Sequence, residues 1–154
     1  MSVQNKADVS YRRSRFFTRL PKGHYYTNSH FWIGEVETDL WQIGLTKFAA
    51  RMLGDIVEIN FDVKSEVTVT VGDVIGSMEG FKAVTDIYCV VSGKFAGENM
   101  ALHEDITLAD TDPYRKGWLY QVQGKPDPEK LDVEGYVALL DTTIDKMEDH
   151  NHEA

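Results

Sequence analysis

Two strand-like runs lie only a few residues apart in the middle of this chain, and the connection between them carries a single lysine at its centre. Upstream, Val71-Gly72-Asp73-Val74-Ile75-Gly76-Ser77-Met78 alternates apolar with small or polar positions. Downstream, Ile87-Tyr88-Cys89-Val90-Val91 is β-branched and aromatic until Ser92-Gly93 stops it. Runs of this kind so close together fold as a hairpin, and Met78-Glu79-Gly80-Phe81-Lys82-Ala83-Val84-Thr85-Asp86 then holds Lys82 at the tip. A lysine amine is acylated only where it is exposed, reachable and free to lose a proton, and its flexible stem then becomes the base of a mobile arm. Taken alone, a lysine in a turn is more often a plain solvated residue.

The rest of the chain reads as a mostly-β fold with short helices. Ile56-Val57-Glu58-Ile59-Asn60-Phe61 and Val67-Thr68-Val69-Thr70-Val71 alternate cleanly. Thr46 is placed to cap a short helix over Lys47–Leu53, with Gly54 just past its end and Phe48 and Met52 four apart on one face. Gly54-Asp55-Ile56-Val57 recurs weakly as Gly72-Asp73-Val74-Ile75, as expected of two interlocked sheet halves. At the C-terminus Asp132 is an N-cap ahead of a helix whose apolar stripe is Val133, Val137, Leu140, Ile144 and Met147, a pattern for core packing. Beyond Glu148 the tail reads as frayed, and its His150 and His152 make a weak metal site.

Beyond this local reading, Glu79-Gly80-Phe81-Lys82-Ala83 resembles the Glu-Ser-Val-Lys-Ala signature of the glycine cleavage system H protein family, whose lysine carries lipoic acid. Ser29-His30-Phe31-Trp32 is similar to that family's His-Glu-Trp opening. Ile43-Gly44-Leu45-Thr46 and Leu53-Gly54-Asp55-Ile56-Val57 resemble its helix and first long strand. Asp86-Ile87-Tyr88, Val91-Ser92-Gly93, Asn99, Ala101-Leu102, Asp112-Pro113-Tyr114 and Gly117-Trp118-Leu119 follow in the same order, so the likeness runs from Tyr25 to Tyr136. It implies a lipoyl/biotinyl-type barrel-sandwich (hammerhead) domain with a C-terminal helix. It also implies lipoic acid amide-linked to Lys82, a carrier that catalyses nothing itself, and Glu79 and Gly80 as the recognition positions for a lipoylating enzyme. Biotin carriers set their lysine between methionines, whereas Phe81 and Ala83 flank Lys82, which favours lipoate.

Departures from the family pattern bear on the cargo. An aminomethyl group is cationic and needs acidic or polar partners wherever the arm is sheltered, because a buried unpaired charge is costly. Phe31 stands where the family has glutamate, and Gly80 and Phe81 replace serine and a β-branched residue. A cleft of Phe31, Phe48 and Met52, with Asp86 as an acidic lip, suits a dithiolane or sulfur adduct better than an ammonium. The expectation is therefore a lipoate-binding protein like those of heterodisulfide-reductase-like sulfur oxidation, moving sulfur-bound intermediates and electrons between enzymes. The alternatives are a genuine glycine cleavage carrier serving the glycine cleavage enzymes, and an unmodified β-domain acting as a binding module.

Composition bounds these readings. With 154 residues the chain is one domain, read as a basic extension over 1–24, a lipoyl-type β domain over 25–125, and a helix with an acidic tail over 126–154. The net charge of −9 gives nucleic acid no general attraction. Cys89 is the only cysteine, which excludes an intrachain disulfide, and no apolar run approaches a membrane span, so a cytoplasmic setting is expected. Charge is polarised along the chain. Residues 1–22 hold six basic residues against Asp8 alone, and residues 127–154 hold nine acidic ones against Lys130 and Lys146, so the ends can attract each other or separate partners. Arg12-Arg13 before Phe16-Phe17 has no apolar segment after it, which argues against twin-arginine export; an organelle presequence would want a clearer apolar helical face. A flexible or surface-bound extension is expected instead.

Overall fold

A computed structural model describes residues 8–153. In chain order its elements are β1 (Asp8–Arg13), β2 (Phe16–Pro21), β3 (Tyr25–Tyr26), β4 (Phe31–Glu37), β5 (Leu40–Leu45), α1 (Lys47–Leu53), β6 (Ile56–Phe61), β7 (Thr68–Val69), β8 (Val74–Gly80), β9 (Val84–Tyr88), β10 (Val91–Glu98), the short α2 (Ala101–Glu104) and α3 (Leu108–Thr111), β11 (Tyr120–Pro126) and α4 (Val133–Glu153). The strands form a six-stranded sheet ordered β3-β4-β5-β11-β10-β7, a three-stranded sheet ordered β6-β8-β9, and a separate β1-β2 hairpin. One core joins the two larger sheets through residues such as Ile33, Ile43, Ile75, Met78, Phe95 and Tyr120. Among the described residues no helix is long and apolar enough to cross a membrane.

The β-branched run at 87–91 is not one strand. It is divided between sheets, with β9 ending at Tyr88 and β10 starting at Val91. The buried Tyr120 hydroxyl satisfies the backbone at this corner, donating to the Tyr88 carbonyl at 2.8 Å and accepting from the Val90 amide at 3.1 Å. The run at 67–71 is likewise reduced to the two residues of β7. By contrast α1 has the expected bounds, with the Thr46 hydroxyl accepting from the Ala49 amide at 3.3 Å.

A second core packs beneath α1 and α4 and includes Tyr11, Phe16, Leu20, Trp32, Phe48 and Tyr136. Three of these come from the basic N-terminal segment, whose residues 8–21 form the folded β1-β2 hairpin; its first seven residues, Lys6 included, lie outside the described residues. Alternation explains the hairpin's placement, because Phe16, Thr18 and Leu20 turn inward while Phe17 and Arg19 face out. The polarised ends meet: Arg13 donates to Asp145 at 2.8 and 3.0 Å, lies 3.5 Å from Asp141, and the Tyr11 hydroxyl donates to Asp141 at 2.8 Å. These ion pairs are exposed and fix geometry more than they stabilise. Asp132 caps α4 as expected, accepting from the Gly135 amide at 2.8 Å. The helix then continues past Glu148 to Glu153 where a frayed tail was expected, and His150 on it is exposed; the His152 side chain lies outside the description. Tyr136, absent from the predicted stripe, is fully buried, while Met147 is 37% exposed.

Candidate functional site

The β8-β9 hairpin does not project freely; its tip is docked on the C-terminal end of α1. The tip closes through the Gly80 amide donating to the Ala83 carbonyl at 2.9 Å. The Lys82 amide then donates to the Leu53 carbonyl at 2.8 Å, and the Phe81 amide to the Asp55 carbonyl at 2.9 Å. These bonds satisfy groups a helix end leaves unpaired. Such close approach dictates two glycines. Gly54 ends α1 at φ 78, a left-handed value that a side chain resists. A Cβ on Gly80 would sit 2.2 Å from the Leu53 carbonyl oxygen. Gly80 is thus required by proximity rather than by a positive φ, which gives it a structural role beside the recognition role expected from the sequence.

Lys82 itself is exposed, and Phe81 beside it is 82% exposed. The lysine Nζ makes one long hydrogen bond, to the Arg51 carbonyl at 3.4 Å, and forms no ion pair with the described residues. Alongside it runs an open groove of about 620 Å³, lined by Phe16 and Phe17 of the N-terminal hairpin, Arg51 and Asp55 around the end of α1, and Asp110 of α3. The Asp110 carboxylate accepts from the Ile56 amide at 3.4 Å, and Lys47 donates to the Asp110 backbone carbonyl at 2.5 Å, so α3 is tied to the start of α1 and to the first residue of β6. Two acidic residues, Asp55 and Asp110, therefore line the same groove as the lysine.

The other residues singled out in the sequence are dispersed. Glu79 is exposed on β8 opposite Val84, and Asp86 is exposed on β9 opposite Ser77, outside the groove. Phe31 is 2% exposed and belongs to the main core, because β4 is covered on both faces at this point. Phe48 belongs to the second core, edge-on to Phe16 with ring centroids 5.5 Å apart, and it lines a separate groove together with Met52, Ile144 and Met147, from which Phe31 is absent. The expected sulfur-friendly cleft of Phe31, Phe48 and Met52 is not assembled, and the argument for a sulfur adduct falls with it. Of the two acidic residues lining the groove, Asp55 has a weak signal in sequence, directly following the helix-ending glycine, and Asp110 has none. Cys89 is buried, its thiol donating to the Val91 carbonyl at 3.0 Å, and burial pushes its pKa up to about 11, so it offers no reactive thiolate.

The start of α1 is anchored to α4. The buried Tyr136 hydroxyl bridges the Thr46 hydroxyl and His30 Nδ1, each at 2.8 Å. The helix on which the tip rests is therefore fixed at both ends.

A small β domain that presents one unencumbered lysine on a docked hairpin tip, next to a groove of its own, has the form of a carrier for a covalently attached arm. An exposed amine with one weak contact and open space alongside fits such a group. The family model for the glycine cleavage H-protein matches residues 24–141, and the chain belongs to that family. It is 43% identical over 120 residues to the glycine cleavage system H protein of Dinoroseobacter shibae, covering 75% of this chain and 96% of the relative. It is 38% identical over 125 residues to that of Corynebacterium jeikeium, covering 79% and 97%. The crystal structure of a glycine cleavage system H protein from Mycobacterium marinum superposes with a TM-score of 0.70 at 31% identity, covering 77% of this chain and 97% of that one. Proteins of this family carry lipoic acid covalently on a lysine.

Proposed function

We propose that this protein is a lipoate carrier with its arm on Lys82, and that it carries the aminomethyl group between the glycine cleavage enzymes, catalysing nothing itself. The observation that carries the reading is the exposed Lys82 amine beside a groove bearing Asp55 and Asp110. The lipoyl disulfide, once attached, supplies the sulfur that holds cargo. The chain's own residues do the rest. Lys82 supplies the nucleophilic nitrogen to a lipoylating enzyme. The Leu53 and Asp55 carbonyls hold the tip on α1 so that the arm starts from a fixed point. Asp55 and Asp110 offer negative charge to an ammonium sheltered in the groove, the role that Phe31 cannot take from the core.

Intact mass of the protein from lipoylation-competent cells tests the first half: a lipoyl amide on wild type, and no addition on Lys82→Arg. The variant should unfold within about 0.5 kcal/mol of wild type, since the side chain is exposed. Acceptance of the aminomethyl group from glycine decarboxylase tests the second half, and it should fall when Asp55 and Asp110 are both changed to Asn. An unmodified Lys82 would support the binding-module reading, and lipoylated protein that accepts no aminomethyl group would return the cargo to the sulfur adduct.

A further inference from the structure

Two pieces of this chain lie outside the 24–141 family match: the β1-β2 hairpin and the end of α4. Relatives are accounted for almost entirely by about three quarters of this chain, so these pieces are additions to the common fold. They are built together. Arg13 is held by Asp141 and Asp145, Ser14 is hydrogen-bonded to Glu148, and Ile144 is buried in the same core as Phe16. The additions then reach the carrier site, because Phe16 and Phe17 form one side of the groove that contains Lys82.

The two aromatic rings are held differently. Phe16 is buried, packed on Phe48 with the Arg51 guanidinium 5.7 Å from its ring centre. Phe17, on the outward face of β2, is 44% exposed, with the Arg12 guanidinium stacked on it at 5.0 Å. A large apolar ring left half in water at the edge of a groove retains apolar surface for an occupant. The groove's own tethered occupant is apolar: the alkyl chain and dithiolane of an arm on Lys82, whose Nζ already rests against the Arg51 carbonyl on the groove side.

We propose that the β1-β2 hairpin is an added wall of the arm's groove, and that Phe17 is a binding residue for the lipoyl alkyl chain and dithiolane, giving this carrier a resting shelter for an empty arm. The inference rests on lipoylation of Lys82. The occupied groove keeps the sulfur atoms from reagents in solution, and the arm leaves it to meet an enzyme. Arg13 and α4 act as positioning elements that keep the hairpin in place.

The test uses full-length lipoylated protein with the arm reduced by a phosphine, and follows alkylation of the two lipoyl thiols by iodoacetamide with intact mass. Cys89 does not compete because it is buried. Removing Phe17's ring in Phe17→Ser should speed alkylation about fivefold, the scale of losing one partly buried apolar contact. Phe17→Leu should keep most of the protection. Equal alkylation rates for folded wild type and folded Phe17→Ser would overturn the wall. Absence of the lipoyl mass on wild type would instead overturn the carrier reading, and the two failures are told apart before any alkylation is measured.

Discussion

Restoring the family's serine at position 80 should weaken this protein. The hairpin tip is pressed onto α1 so closely that a Cβ at Gly80 would stand 2.2 Å from the Leu53 carbonyl oxygen and 2.8 Å from its carbon, both backbone atoms that cannot rotate away. A carbon sits against a carbonyl oxygen at about 3.3 Å at closest, so the tip must retreat by about 1 Å. That retreat stretches the Lys82 amide to Leu53 carbonyl bond, now 2.8 Å, out of hydrogen-bonding range, and weakens the 2.9 Å bond from the Phe81 amide to Asp55. Each backbone bond contributes about 0.5–1.5 kcal/mol net, so Gly80→Ser should cost roughly 1–3 kcal/mol. For a chain of this length the midpoint should fall by roughly 3–10 °C. Thermal and urea unfolding of the unlipoylated protein measure the loss, with Gly80→Ala as the hydroxyl-free control expected to behave alike. Stability within about 0.5 kcal/mol of wild type for both variants would refute the docked tip and return Gly80 to a role in enzyme recognition alone.

Two further outcomes follow from burial. Phe31→Glu places a carboxylate without a partner in the main core, where Phe31 is 2% exposed, so it should destabilise by on the order of 3–5 kcal/mol and improve no aminomethyl acceptance; a urea midpoint near that of wild type would contradict this. His24 is stacked on Trp32 with ring centroids 4.7 Å apart, and burial lowers its pKa to about 4. The unfolded chain therefore binds the extra proton between about pH 6.5 and 4, so His24's contribution is complete above pH 6.5 and is lost as the pH falls through that window. The difference in unfolding free energy between pH 7.5 and pH 5 should shrink in His24→Gln by on the order of 1–2 kcal/mol, and an unchanged difference would count against it.

The legible parts of this molecule are those set by neighbours in sequence. Thr46 and Gly54 bound α1 because capping chemistry acts within four residues, and Lys82 is recognisable as a tip because strand signals flank it on both sides. The same local logic applies at Phe16, Thr18 and Leu20, whose period-two alternation marks a strand, although the surrounding arginines give the segment the look of a charged extension. Cargo chemistry is hidden from the sequence for a different reason. Alternation says which side chains leave a strand on the same face; it does not say whether that face meets water or a second sheet. At Phe31 both faces of β4 are covered, so a residue aligned with a family carboxylate ends in the core. The groove's acidic residues come from positions 55 and 110, and its aromatic wall from positions 16 and 17, brought together only by tertiary packing. A change of charge at one aligned position therefore carries little information about a site assembled from three distant segments. What decides the arm's surroundings is how α1 is held, between Tyr136 at its start and the hairpin tip at its end, with α3 and the added hairpin meeting beside it.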